Sequence, residues 1–133
     1  RCGKGKPVKK REAFSPQARL KSFSYAFAGV AFLLRSQHNA WLHAAATIGA
    51  VAAGLAYKVR PEEWRWLFAA VTIVWVAEAV NTAFEHLCNV VSPQHHPEVE
   101  KAKDVAAGAV LIAALGAAAI GVSVFAPYAA ASL

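Results

Sequence analysis

Apolar residues along the chain fall into four stretches whose spacing differs. Leu20, Phe23, Phe27, Val30 and Leu34 recur at steps of three and four, which predicts a helix over about 18–35 with one apolar face. Arg19, Lys21, Ser22 and Ser24 make its beginning basic and polar, so it is expected to lie in the membrane interface. Residues 23–34 also have the length of a signal-peptide core. Arg35 directly after them, and the lack of a small-x-small cleavage pattern, argue against that reading.

The other three stretches are longer. Residues 40–57 hold one His and no charge, and residues 105–125 hold no charge at all. Residues 66–88 are apolar until Glu78, after which Glu85 and His86 interrupt them. A bilayer core of about 30 Å needs roughly 20 helical residues, so each stretch can span it. The first and third have no polar face of the kind a soluble bundle helix needs. The prolines at 7, 16, 61, 93, 97 and 127 all fall outside these runs and are expected to mark their boundaries. The pattern predicts an all-α membrane protein: an interfacial helix, then three transmembrane helices over about 40–57, 66–88 and 105–125, forming one membrane domain over 18–127. A basic flexible tail is expected over 1–17, a cytoplasmic loop over 89–104, and a short C-terminal tail over 128–133.

Composition narrows the class. Hydrophobic residues make up 57% of the 133 and charged residues 17%, too oily for an ordinary soluble domain and far from disorder. Two cysteines, Cys2 and Cys88, exclude a disulfide scaffold. The net charge of +6 could indicate nucleic acid, but the cations surround apolar runs instead of lining a polar face. With the N-terminus and the 89–104 loop inside, most of the 14 Lys and Arg are cytoplasmic, as the positive-inside rule requires. Gly49, Gly54, Gly108, Gly116 and Gly121, among many alanines, imply close helix packing within the chain or between copies.

Glu78, Asn81 and Glu85 are the most informative residues. Glu78 and Glu85 differ by about 20° around a helix and by roughly 10 Å along it, with Asn81 on the same side. An acidic group at the centre of a membrane helix costs about 2.5–3.5 kcal/mol, so such residues are functional candidates. One carboxylate can take the proton of a hydroxyl nucleophile. A second, nearer water, can hold Mg²⁺ together with nucleotide phosphates. Lys103 and Asp104, expected in the following loop, offer a cation for phosphate and another oxygen ligand. No Walker-type glycine loop is present, so a nucleotide would be held by helix-borne side chains. Cys88 with His95 and His96 fits no common zinc spacing. If Trp66 marks the outer interface, Glu78 lies about 18 Å deep, well below the level of lipid headgroups.

Glu78-Ala-Val-Asn81-Thr-Ala-Phe-Glu85, followed by Lys101-Ala-Lys103-Asp104-Val-Ala-Ala-Gly, resembles the bacterial diacylglycerol kinase/undecaprenol kinase family. Ser22-Phe23-Ser24-Tyr25-Ala26-Phe27-Ala28-Gly29 and Gln37-His38-Asn39-Ala40-Trp41-Leu42-His43 are similar to its surface helix and the start of its first span. The resemblance covers roughly residues 19–125.

It implies a small homotrimeric kinase of the bacterial cytoplasmic membrane that moves the γ-phosphate of ATP to a lipid hydroxyl, using Mg²⁺. By position, Glu78 corresponds to the general base and Glu85 to a metal-binding glutamate, with Asn81 supporting them. Lys103, Asp104, Tyr25 and His96 correspond to ATP-side positions. Asn39, Trp41, His43 and Ala107 correspond to the lipid-facing region. Gln37 stands where the family has its other metal-binding carboxylate, Asn89 where an Asp is frequent, and Ala28 where some members have Lys. The implied acceptor is diacylglycerol or undecaprenol, with no nucleic-acid partner. The alternative from the residues alone is a non-catalytic assembly protein or small transporter that uses the acidic face for packing or ion passage.

Overall fold

The computed structural model describes residues 15–132, all helical apart from short connections: α1 (Pro16–Ser36), α2 (His38–Ala56), α3 (Pro61–Val91) and α4 (Pro97–Ala131). The described chain falls into two compact units, one ending at Phe32 and one beginning at Leu33. In the first, α1 begins at Pro16, where proline's missing amide costs nothing because the first helical N–H groups have no intrahelical acceptor. Leu20, Phe23, Phe27 and Val30 are all exposed along it, and the Lys21 ammonium lies 6.0 Å from the centroid of the Tyr25 ring.

The second unit contains three helices long and apolar enough to cross a membrane. On α2 the less exposed positions are Ala40, His43, Ala44, Thr47, Ala50, Ala53 and Gly54, a seam that recurs at three- and four-residue steps. On α3 the buried stripe runs through Leu67, Ala70, Val74, Glu78, Asn81 and Cys88, against α4 along most of its length and against α2 more lightly. Large apolar residues such as Ile48, Phe68, Val76, Val80, Ile112 and Leu115 face outward, as helices solvated by lipid allow.

Small residues and a polar clasp hold one end of this unit. The chain turns between α2 and α3 through Lys58, whose φ of 51° is left-handed. Trp64 lies against Gly54, and an added Cβ there would meet the indole at 2.7 Å, so only glycine admits this approach. Val59, Leu67 and Val124 form a buried cluster, with Trp64, Ile120, Phe125 and Tyr128 packed on it. Above it, the Glu63 carboxylate accepts from the Arg60 backbone N–H at 3.1 Å, from Arg60 Nη2 at 2.9 Å and from the Tyr128 hydroxyl.

The helices outrun the apolar stretches at several ends. Pro61 and Pro97 occupy first helical positions, and Glu62, Glu63, Glu98 and Glu100 fill first turns where the helix dipole favours anions. The loop expected over 89–104 therefore shrinks to residues 92–96, and Lys103 and Asp104 stand on α4 instead of in a loop. Pro127 does not end the third span: α4 passes through it to Ala131 and takes in most of the expected C-terminal tail. Of the tail expected over 1–17, residues 16 and 17 open α1, and residues 1–14 lie outside the described residues.

Candidate functional site

The stripe that packs α3 against its neighbours turns polar in its second half. Glu78 is 1% exposed, Asn81 6% and Thr82 4%, so these side chains point into the helix bundle and not toward lipid. Glu78 Oε2, Asn81 Oδ1 and Thr82 Oγ1 are buried without a hydrogen-bond partner. Unpaired buried acceptors are costly, and a native structure carries them mainly where a ligand or solvent completes them. The nearest charged or titratable partner is His43 on α2, whose Nε2 lies 3.7 Å from Glu78 Oε2.

Glu78, Asn81 and His43 open on one cavity of about 260 Å³ between the three helices. Asn39, Leu42 and His43 of α2 form one wall, Glu78, Asn81 and Glu85 of α3 a second, and Ala107, Val110, Leu111 and Ala114 of α4 a third. The polar atoms thus come from α2 and α3, while α4 supplies an apolar lid of small and branched residues. Asn81 Nδ2 donates to Glu85 Oε1 at 3.4 Å, a long bond that ties the two polar levels of α3 together. His43 is braced by its own surroundings: its ring meets Trp75 edge-on at 6.4 Å, and its backbone carbonyl accepts from Thr47 Oγ1 at 2.7 Å.

A second pocket of about 490 Å³ lies where the α3–α4 connection turns, lined by Asn89, Ser92, Gln94, His95, His96, Val99, Glu100 and Lys103 among others. Lys103 Nζ donates to Asn89 Oδ1 at 2.6 Å, so Asn89, which stands where an Asp is frequent, holds the lysine in place. His96 caps α4: its Nδ1 accepts from the Glu98 N–H at 3.3 Å. The proton of a neutral His96 is then on Nε2, which remains available as a donor.

Of the residues singled out in the sequence, Glu78, Asn81, Glu85, Asn39, His43 and Ala107 come together in the first cavity, and Lys103 and His96 in the second. Gln37, Trp41 and Asp104 lie outside the walls of both. Gln37 is half-buried at the cap of α2, whereas Trp41 and Asp104 are exposed. Tyr25 belongs to the first unit and is exposed there. Thr82, one turn after Glu78 and buried beside it, lies outside the walls of both pockets as well. Among the described residues no group of three His, Cys, Asp or Glu side chains converges as a metal cage. A single carboxylate at Glu85, steadied by Asn81, fits Mg²⁺ nonetheless, because that ion is commonly held by one or two carboxylates plus phosphate oxygens and water.

Comparison with known proteins covers this whole arrangement. An undecaprenol kinase of Bacillus subtilis is 35% identical over 107 residues, which cover 80% of this chain and 87% of that protein. A diacylglycerol kinase of Synechocystis sp. is 32% identical over 120 residues, covering 90% of this chain and 69% of that one. Residues 24–125 match the sequence profile of the family described as prokaryotic diacylglycerol kinase, a match that takes in every wall of both pockets. On that match and those two relatives, the chain belongs to the prokaryotic diacylglycerol kinase family.

Proposed function

We propose that this chain is a lipid kinase of the bacterial inner membrane that transfers the γ-phosphate of ATP to the hydroxyl of diacylglycerol or undecaprenol. The observation that carries the reading is Glu78: a carboxylate 1% exposed, with one oxygen unpartnered, facing a cavity between membrane-spanning helices. A carboxylate so placed is suited to removing a proton from an alcohol out of contact with bulk water.

In the proposed reaction the lipid hydroxyl enters the first cavity and gives its proton to Glu78 Oε2. The oxygen so released forms a bond to the γ-phosphorus while the bond to the β-phosphate oxygen breaks, leaving ADP. Lys103, held by Asn89, supplies a cation for the phosphates, and Asn81 fixes the orientation of Glu85. Glu85 would hold Mg²⁺, with Gln37 the second residue proposed for it. When bound, that ion neutralises charge on the transferring phosphates. The exposed apolar stripe of α1 is proposed to rest in the membrane interface, and three copies of the chain to assemble with the N-terminus and the site on the cytoplasmic side.

The test is transfer of radiolabelled phosphate from ATP to diacylglycerol and to undecaprenol, each presented in vesicles to the purified protein. Label in either lipid supports the reading and identifies the acceptor. Label in neither, from protein that is inserted and assembled, overturns it.

A further inference from the structure

A base as deeply buried as Glu78 has a problem that follows from its burial. Each turnover leaves one proton on its carboxyl group, and that proton must depart before the next hydroxyl can be deprotonated. Glu78 cannot hand it to bulk water directly, because its side chain is only 2% exposed. We infer that His43 receives this proton at Nε2 and is its way out of the site, an inference that rests on the lipid-kinase reading.

The groups around Glu78 leave few other acceptors. From α4 the cavity is walled by Ala107, Val110, Leu111 and Ala114, none of which titrates. From α3 the only other titratable wall residue is Glu85, about 10 Å further along the helix and bonded to Asn81. From α2 it is His43, with Nε2 at 3.7 Å from Glu78 Oε2 and a side chain 16% exposed. The edge-on contact with Trp75 keeps the ring at that place. A separation of 3.7 Å is too long for a hydrogen bond, and an approach of roughly 0.8 Å makes one.

The step balances without a further reactant. The O–H bond on the Glu78 carboxyl breaks and an N–H bond forms at His43 Nε2, leaving a carboxylate beside an imidazolium. The imidazolium then loses its proton to water, and both groups return to their starting state. For Nε2 to accept, the resting neutral ring carries its hydrogen on Nδ1. His43 acts through Glu78, as a positioning and proton-accepting residue.

The consequence is kinetic. Removal of His43 leaves the first proton transfer possible and obstructs recovery of the base. In rapid-quench measurements with labelled ATP and saturating lipid, His43→Ala should form close to one product per site and then turn over about 10²-fold more slowly than wild type, the scale of one lost proton-transfer partner. Added imidazole should restore the slow phase in proportion to its concentration and leave the burst amplitude unchanged. The burst shows that the variant is folded, and His43→Gln, which keeps a polar side chain of similar reach, provides the same comparison if His43→Ala does not insert. First turnover and steady state falling together, no fall in either, or no rescue by imidazole would each overturn the inference. Failure of the wild-type protein to label any lipid overturns the lipid-kinase reading instead, so the two are told apart.

Discussion

Trp75 Nε1 donates to Thr47 Oγ1 at 3.1 Å, and this bond fastens α3 to α2 one turn beyond the His43–Glu78 pair. The same Thr47 hydroxyl donates to the His43 carbonyl, so one side chain links the indole of α3 to the backbone that carries the histidine. The relationship matters because α2 packs on α3 far more sparsely than α4 does. With few other ties, the relative height of His43 and Glu78 depends on it.

Replacing Trp75 by Phe keeps most of the ring and removes the donor. We expect a loss of about 0.6 kcal/mol, typical of a hydrogen bond between membrane helices, read as a shifted unfolding midpoint in mixed micelles. Turnover should fall further than that loss of stability accounts for, since the height of His43 against Glu78 is no longer fixed by the bond. An unchanged midpoint and unchanged turnover would show that the bond positions nothing.

Glu78→Gln removes the proton acceptor and nearly preserves shape. Phosphoryl transfer to lipid should drop by about 10²- to 10⁴-fold, while membrane insertion and subunit association, followed by chromatography in detergent, stay as in the wild type. Wild-type turnover in this variant would remove Glu78 from the reaction.

For the metal, Gln37→Glu adds a hard anionic ligand at the cap of α2. The Mg²⁺ concentration for half-maximal transfer should fall several-fold. A requirement that stays put or rises would mean that position 37 does not serve the ion, consistent with its place outside the cavity walls.

Packing at the opposite end gives a paired test. Gly54→Ala drives a methyl group into the Trp64 indole at 2.7 Å, an overpacking expected to cost about 1–3 kcal/mol. Trp64→Leu in the same chain should recover part of that loss. Gly49→Ala, with nothing within 4 Å of the added carbon, should change stability by no more than about 0.5 kcal/mol.

Assembly can be read through complementation. Glu78→Gln and Lys103→Ala are each expected to be inactive as pure proteins. If neighbouring chains in a trimer share one site between these residues, mixing the two with subunit exchange recovers activity in part of the mixed trimers. Exchange without recovery would confine both residues to one chain.

Much of this architecture was legible in the sequence because it depends on spacing along single helices. The step from Glu78 through Asn81 to Glu85 fixes one face, and that face is the packing face of α3. The uncharged runs likewise show which helices can span a membrane. What spacing could not give is the height of one helix against another. His43 and Glu78 are thirty-five positions apart, and their approach depends on the turn at Lys58 and on the Gly54–Trp64 contact. Helix ends were misjudged for a different reason: bilayer thickness limits the apolar run but not the helix. Capped and acidic first turns carry α3 and α4 beyond it, with Lys103 on the extension.

Two bonds that join α3 to α4 also serve as a depth gauge. Glu63 meets Tyr128 at one end and Asn89 meets Lys103 at the other, levels about 38 Å apart at 1.5 Å per residue. A hydrocarbon layer of about 30 Å centred between them puts Glu85 close to its edge and Glu78 roughly 12 Å beneath it. On the proposed reading, an acceptor must therefore sink its hydroxyl below the headgroup plane to be phosphorylated. Uncharged alcohols such as diacylglycerol or a polyprenol can descend that far. The γ-phosphate of ATP has to meet that hydroxyl at the same depth, where an unpaired charge costs at least about 2.5–3.5 kcal/mol, so it must arrive with its charge neutralised by a cation. The depth of a single glutamate would thus select the alcohol by how far its hydroxyl can sink and oblige the phosphates to come down already neutralised.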